Sequence, residues 1–347
     1  MANNQNIAAL LRESPQKTPL TPPVPVELWE PEQGEVRIRI EAAAQNPVDW
    51  KQADFNFAIP SFPFILGVDV AGVIDKVGAG VTKFKIGDRV LSMAPLGKAN
   101  KFGAYQKFSC AKVDATIGIP ESYSFDEAVT IPLAYWTAAL GIFPSLQVPI
   151  PLSTSGLVSP TVTDQTFLVW GGSSSVGALA VQLAAIAGFK VIATASPRNF
   201  EYVKSLGADH VLDYHDADIV EQIKVLAPNL RYAYDAISEN GSTESVLSTL
   251  SYSAPEVVTV LPFKGELPSG AKTHEVMAGC IYYPGHETKL TALLALWDVL
   301  MSQRKIKPNP VMLMPDGLGS IEEGFDLMRK GKVSGQKIVY HPWETKI

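Results

Sequence analysis

Only two cysteines, Cys110 and Cys280, occur in 347 residues. Two thiols make neither a disulfide framework nor a four-cysteine zinc lobe. Histidine is almost as scarce, and His210, His215, His274, His286 and His341 are scattered outside any ligand spacing. Charge is sparse, at 18% of residues, and has no basic excess: 29 Lys and Arg against 35 Asp and Glu leave −6. A mildly acidic chain has no bulk attraction for phosphate backbones or anionic lipid, which argues against nucleic-acid and membrane partners. No apolar signal core opens the sequence, because Arg12, Glu13 and Lys17 interrupt it. The longest apolar helix-like run read here, Ala178 to Gly188, holds Gln182 and is too short to cross a bilayer. These absences make a cytoplasmic location the expectation. What is plentiful is apolar side chain, at 46%, enough for a sizeable core and the opposite of a disordered composition.

The first part of the chain, to about residue 120, reads as β-rich. Val36 to Ala42 alternates apolar and charged residues with period two, the mark of a half-buried strand. Val68 to Val77 and Arg89 to Met93 are further strands, separated by the turns Val77-Gly78-Ala79-Gly80 and Ile86-Gly87-Asp88. Such crowding suggests a small barrel or a sandwich. Near residue 126 the texture changes. Phe125 to Ala139 reads as helix with Pro132 as an interruption, and Pro144 to Gln165 as a Pro/Ser/Thr-rich surface loop. Apolar strands then alternate with helices: strands at 166–170, 190–195, 211–212, 232–237 and 257–261, helices at 176–187, 199–205 and 219–226. That rhythm predicts a parallel, doubly wound sheet. The tail returns to helix, Gly turn and strand (Lys337 to Tyr340). The expected organisation is an α/β chain: a β-rich domain over 1–125, completed by 306–347, with a doubly wound parallel-sheet domain over 126–305 inserted into it.

Strand 166–170 runs straight into Gly171-Gly172-Ser173-Ser174-Ser175-Val176-Gly177, after which a long apolar helix begins. A strand, a glycine turn and a helix start form a phosphate-sized cradle of free N–H groups, aided by the helix dipole. The middle glycine of the dinucleotide fingerprint is replaced by Ser174, whose Cβ points where a pyrophosphate would come close, although three hydroxyls could donate to it. An NAD-selecting acid would stand about 20 residues further on. The chain instead reads Ala195-Ser196-Pro197-Arg198-Asn199. Ser196 and Asn199 can donate to a 2′-phosphate, and Arg198 can pair with it or stack on adenine, so NADPH is favoured over NADH. The competing reading is that Ser196-Pro197 only caps the next helix.

These residues resemble the medium-chain dehydrogenase/reductase superfamily over essentially the whole chain. Asn46-Pro47-Val48-Asp49, Gly67-Val68-Asp69-Val70-Ala71-Gly72, Val77-Gly78-Ala79-Gly80-Val81 and Gly87-Asp88-Arg89-Val90 look like its GroES-like catalytic domain. Ile131 to Ala138 and Leu206-Gly207-Ala208-Asp209 look like the linker helix and Rossmann cofactor domain of its quinone reductase branch. The Gly-Gly-Ser-Ser-Ser loop, the Ser-Pro-Arg-Asn-Phe segment and the Pro-rich stretch after Gly141 are similar to fungal trans-acting enoyl reductases of polyketide synthesis. The resemblance implies that Val48, Asp49, Trp50 and Lys51 border the nicotinamide half of the cofactor, with Leu261-Pro262 flanking it and Val333-Ser334 approaching from the tail. It implies that Ser173, Ser174, Ser175 and Val176 hold the pyrophosphate, Ser196, Pro197, Arg198 and Asn199 the 2′-phosphate, and that Tyr214 lies near the adenosine ribose. Ile131, Pro132, Leu133, Ala134, Tyr135, Trp136, Thr137 and Ala138, with Met277, Ala278, Gly279, Cys280 and Ile281, would line a substrate pocket.

Zinc-dependent members carry a ligand cysteine where this chain has Val48-Asp49, and Gly-His-Glu where it has Gly67-Val68-Asp69. No metal is therefore expected. Without a Lewis acid, a carbonyl or alcohol loses its main source of polarisation, whereas a conjugated C=C disperses charge through its own carbonyl. Enone or enoyl reduction follows, with a proton reaching the α-carbon from a side chain or water. Lys51 is the candidate catalytic residue, at a ribose hydroxyl or a developing enolate, with Tyr135 as an alternative. The expected activity is an NADPH-dependent enoyl reductase serving a polyketide synthase that lacks its own reductase. A free-standing quinone or 2-alkenal reductase and a non-enzymatic nucleotide-binding protein are the alternatives. The Pro-rich stretch beside the linker helix leans towards a monomer over a homodimer.

Overall fold

The alternating segment Val36 to Ala42 becomes the middle of the longest strand in the molecule. The computed structural model describes residues 5–160, 162, 164–285 and 287–346, so His286 lies outside the described residues. Two units emerge: residues up to Leu133 together with those from Pro308 on, and Ala134–Lys307.

In the first unit, β1 (Ile7–Ala8) and β2 (Val24–Pro25) form a small antiparallel pair. The main sheet is built from β3 (Glu35–Ala44), β4 (Asp69–Val77), β5 (Arg89–Met93), β6 (Phe108–Lys112) and β7 (Thr116–Gly118). After the second unit, β16 (Val311–Leu313) and β17 (Lys337–Tyr340) join it, giving the order β16-β17-β3-β4-β5-β7, with β6 also on β3. All pairings but β16 with β17 are antiparallel, and β3 shifts register against β4 at two places, which bends the sheet. Its core gathers Val36, Ile38, Ile40, Val70, Ile74 and Val90 with Phe325 and Ile338. Helices α1 (Pro47–Phe55), α2 (Phe125–Val129) and, from the tail, α9 (Ile321–Arg329) belong here.

Helix α3 (Pro132–Leu140) begins where the sequence suggested an interruption. The interruption read at Pro132 is present: α2 ends at Val129, Thr130 and Ile131 form a turn, and Pro132 opens the next helix, where its missing N–H has no partner to lose. A π-helical turn, Gly141–Ser145, continues it through Pro144. Together α2, α3 and this turn span Phe125–Ser145, a longer apolar stretch than the one read from the sequence, and it is mostly buried within the protein. The supposed surface loop that follows is partly structured. It holds the hairpin β8 (Leu152–Ser153) and β9 (Gly156–Leu157), and Val162 donates to Ala187 O.

The second unit is a six-stranded sheet, parallel throughout, in the order β12-β11-β10-β13-β14-β15. Its strands are β10 (Thr166–Trp170), β11 (Lys190–Ala195), β12 (His210–Asp213), β13 (Tyr232–Asp235), β14 (Glu256–Thr259) and β15 (Lys272–Glu275). Helices α4 (Ser175–Ala187), α5 (Phe200–Lys204), α6 (Ile219–Leu226), α7 (Ser242–Thr249) and α8 (Glu287–Ser302) complete it. Counting from β10, the order is 3-2-1-4-5-6, the Rossmann arrangement. The chain reverses its winding direction at β10, and such folds bind ligands at the carboxyl end of that strand.

Helix α3 runs into an aromatic cluster in this unit. The Tyr135 and Trp297 rings stack at 4.6 Å, and Trp136 meets each edge-on at 5.7 Å. All three are fully buried. Replacing a fully buried Trp by Ala removes both its transfer free energy and its packing. Trp297→Ala should therefore cost about 3–5 kcal/mol in denaturant-induced unfolding; a loss below about 1 kcal/mol would mean that the cluster does not organise this unit.

Candidate active site

The cofactor loop is built by backbone geometry. Gly171 adopts φ +77°, a conformation that side chains disfavour, and so allows the turn out of β10. A Cβ on Gly177 would stand 2.1 Å from the Gly171 carbonyl oxygen, so only glycine permits this closeness of helix to turn. Ser174, in place of the fingerprint's middle glycine, is the N-cap of α4 and accepts from Gly177 N–H at 3.0 Å. The N–H groups of Ser175 and Val176 lie in the first turn, where no intrahelical acceptor exists, so they face outward with the positive end of the helix dipole. Ser173 to Val176 are half-buried.

Side-chain contacts join the other predicted cofactor residues to this loop. Asn199 Nδ2 donates to Ser173 Oγ at 3.3 Å, and Ser196 Oγ shares a hydrogen with Tyr214 OH at 3.3 Å. The Tyr214 ring lies 4.0 Å from that of His215, and Tyr214 is 40% exposed. Pro197 and Arg198 are exposed, and Asp213, the acid nearest Tyr214 in sequence, is turned to His215. A hydroxyl, an amide and a guanidinium thus stand at the end of β11 with no carboxylate on Ser196 to Asn199. The set suits an anionic dinucleotide: a glycine cradle for the pyrophosphate, donors for a further phosphate, and an exposed aromatic ring. Asp235, at the end of β13, is not available to it. It is fully buried and saturated by Ile237 N–H, Ser238 N–H, Ser242 Oγ and Thr243 Oγ1. Leu261 is half-buried and Pro262 exposed just past β14; Met277 is exposed, while Ala278 and Ile281 are buried in a short helical turn.

The first unit supplies a different construction, a closed network of buried polar groups. Asn46 caps α1, and its N–H donates to Asp49 Oδ2 at 2.8 Å. Its Nδ2 donates to Asp69 Oδ2 at 2.8 Å, and its Oδ1 accepts from Lys337 Nζ at 2.5 Å. Lys337 Nζ also lies 3.1 Å from Asp69 Oδ2, and Asp69 Oδ1 accepts Leu133 N–H at 2.8 Å. Asn46, Asp69 and Lys337 are 2%, 0% and 1% exposed. Sequence reasoning did not single out Asn46, Asp69 and Lys337 as a group.

Asp49 is fully buried beside the half-buried Trp50 and Lys51. Tyr105 OH donates to its Oδ2 at 2.7 Å, while Oδ1 has no protein partner. Burial dominates and lifts the Asp49 carboxyl from 3.8 to about 7, against the lowering effect of the Asn46 and Tyr105 hydrogen bonds. Lys51 is half-buried, its ammonium 5.5 Å from the Trp50 ring centre. Val333 and Ser334 are half-buried ahead of β17. Of the linker-helix residues, Ile131, Ala134 and Ala138 are fully buried with Tyr135 and Trp136, Pro132 is buried, Thr137 is 8% exposed, and Leu133 is half-buried. Tyr135 OH donates to the Leu293 carbonyl at 2.7 Å, and burial raises its pKa well above the tyrosine range.

The residues do not fit a zinc ion. Val48 and Val68 offer no donor atom, both Asp69 oxygens are occupied, and no group of three or more His, Cys, Asp or Glu among the described residues could hold a metal.

Residues 32–139 match the alcohol dehydrogenase GroES-like domain, and residues 175–278 the zinc-binding dehydrogenase family. The chain belongs to the medium-chain dehydrogenase/reductase superfamily of oxidoreductases, as its motifs implied. Within it, the chain is 34% identical over 346 residues to dehydrogenase pigH of Monascus ruber, covering 89% of this chain and 92% of that one. It is 32% identical over 317 residues to trans-enoyl reductase himH of Aspergillus japonicus, covering 88% and 89%. The fold superposes on the mycobacterial protein Rv1454c, solved in complex with NADPH, with a TM-score of 0.76 at 22% identity over 97% of this chain and 100% of that one.

Asp49 makes stability depend on pH in a defined direction. Its native pKa is raised, so between about 4 and about 7 the native state binds more protons than the unfolded one, and stability falls as pH rises. Above about 7 both states are ionised and the penalty is constant. Asp49→Asn removes this slope. The stability of the variant relative to wild type should rise from pH 4 to pH 7, by at most about 1.4 kcal/mol per pH unit, and level off above. A difference independent of pH in urea titrations would mean that Asp49 ionises normally.

Proposed function

We propose that this protein is an NADPH-dependent enoyl reductase that acts in trans, reducing the conjugated C=C of an enoyl thioester presented by a polyketide synthase. The observation that carries the reading is the likeness to himH, named a trans-enoyl reductase, over nearly the full length of both chains. The chain's own residues support it. The glycine-serine loop and the donors Ser196, Arg198 and Asn199 suit a phosphorylated dinucleotide, and the missing zinc donors favour a substrate that polarises itself.

NADPH, when bound, supplies the hydride that adds to the β-carbon, and the α-carbon then takes a proton, so that C=C becomes CH–CH. The cradle Ser173 to Val176 holds the pyrophosphate through helix-start N–H groups, and Ser196, Arg198 and Asn199 hold the 2′-phosphate. Lys51 orients a ribose hydroxyl or stabilises the enolate oxygen through its ammonium. With Tyr135 committed to Leu293, the proton at the α-carbon comes from water or from a group other than Tyr135.

Cofactor choice is expected to favour NADPH over NADH at least about tenfold by calorimetry, since one charge-assisted contact is worth roughly 1.5–3 kcal/mol. Equal affinities would reject the assignment.

The activity is tested by comparing turnover of an enoyl thioester with that of a small quinone, using enzyme exhaustively treated with chelator. Preferential reduction of the thioester supports the reading. Preference for the quinone makes the protein a quinone reductase, and activity lost to chelation and restored by zinc contradicts metal independence. In the same assay, Lys51→Ala should lower turnover by about 10²–10³ if the ammonium stabilises the enolate, or raise the KM for NADPH alone if it binds ribose. Wild-type values for both would make Lys51 a bystander.

A further inference from the structure

Helix α1 carries Trp50 and Lys51. Ala53 and the half-buried Trp50 pack on the apolar core, but of its three fully buried residues two, Asp49 and Gln52, are polar. Polar contacts complete its placement. Gln52 Nε2 donates to the Ala58 carbonyl at 3.1 Å, and Asp49 accepts from Tyr105 OH. The cap residue Asn46 is held through its N–H, its Nδ2 and its Oδ1 at once. Because the Oδ1 faces an ammonium and the Nδ2 a carboxylate, its amide has only one satisfactory orientation. The Asp69 carboxylate is the junction. One oxygen receives Asn46 and Lys337, and the other the first-turn N–H of Leu133 at the start of α3.

We infer that Asp69, Lys337 and Asn46 form a positioning centre for the reaction site, in which one buried carboxylate neutralised by a fixed ammonium sets the placement of three segments. These are Val48 to Lys51, reached through Asn46; the linker-helix start at Leu133, bonded directly; and the strand after Val333-Ser334, which begins with Lys337. The inference deepens the enoyl reductase reading and rests on it for the role of those segments. Stability alone gives weak reason for such a centre, because a buried ion pair seldom outperforms well-packed apolar side chains of equal volume. A single orientation for a catalytic lysine is a stronger reason, since a misplacement of about 1 Å costs on the order of 10²-fold in rate.

The test compares wild type with the double variant Asp69→Asn/Lys337→Met, which removes both charges together. The expected result is a protein whose thermal midpoint stays within about 5 °C of wild type. With Lys51 at the enolate, kcat for the enoyl thioester falls at least about tenfold and NADPH affinity changes less than about threefold; with Lys51 at the ribose, the KM for NADPH rises at least about threefold instead. Amide exchange at residues 47–51 and 132–136 should quicken with the sheet still protected. A folded variant with kcat and the KM for NADPH both within about twofold of wild type, or with unchanged exchange there, overturns the proposal. Should the double variant not fold, Asn46→Ala, which leaves the ion pair in place, is judged by the same criteria. Loss of fold in both makes the centre purely structural and also overturns it. Absence of thioester reduction by the wild type defeats the enoyl reductase reading instead, and the exchange comparison then decides the positioning role by itself.

Discussion

The carboxylate of Asp69 is the constraint around which the first unit closes. A buried carboxylate must be neutralised and hydrogen-bonded, or its desolvation would cost more than a marginally stable fold can offset. Here Lys337 brings the charge from the last strand, Asn46 brings an amide from the helix cap, and Leu133 brings a backbone N–H from the linker helix. Each of those partners would be costly to bury unpaired in its turn, so the network holds as a set. The unpartnered Oδ1 of Asp49 next to it marks where satisfaction is incomplete, and there the pKa rises to about 7.

The second unit reaches its chemistry by other means. Its loop needs no buried charge, only a turn that Gly171 permits and a helix start that Gly177 lets approach. Backbone N–H groups and a helix dipole are fixed donors that cannot be titrated away, which suits an anion of constant charge. At the end of β11, Ser196 and Asn199 reach Tyr214 and Ser173, while Arg198 is exposed.

Much of this was legible in the residues. The period-two run Val36 to Ala42, the strand-loop-helix at Gly171 to Gly177 and the alternation after it gave both sheets, because local hydrophobic pattern and glycine placement dictate them. The strand β15, Lys272–Glu275, was not legible: Lys-Thr-His-Glu has no apolar residue and is recruited only by pairing with β14. Pro132 marked the break between α2 and α3 correctly, because a proline ends one helix and is tolerated at the start of the next. The polar centre was hidden for a different reason. Asn46 lies 23 residues from Asp69 and 291 from Lys337, and a lysine heading the apolar strand Lys337–Tyr340 reads as solvated until the tertiary fold surrounds it. Only Asp69 stands in an otherwise apolar stretch, between Val68 and Val70.

The central claim, hydride transfer to a conjugated C=C, is tested most directly by isotope tracing. An enoyl thioester is reduced with NADPH deuterated at the transferable position, and separately with unlabelled NADPH in heavy water, and the product is mapped by mass spectrometry and NMR. Deuterium at the β-carbon in the first experiment and at the α-carbon in the second is the predicted pattern. Label on the carbonyl carbon, or none retained from the cofactor, would contradict it.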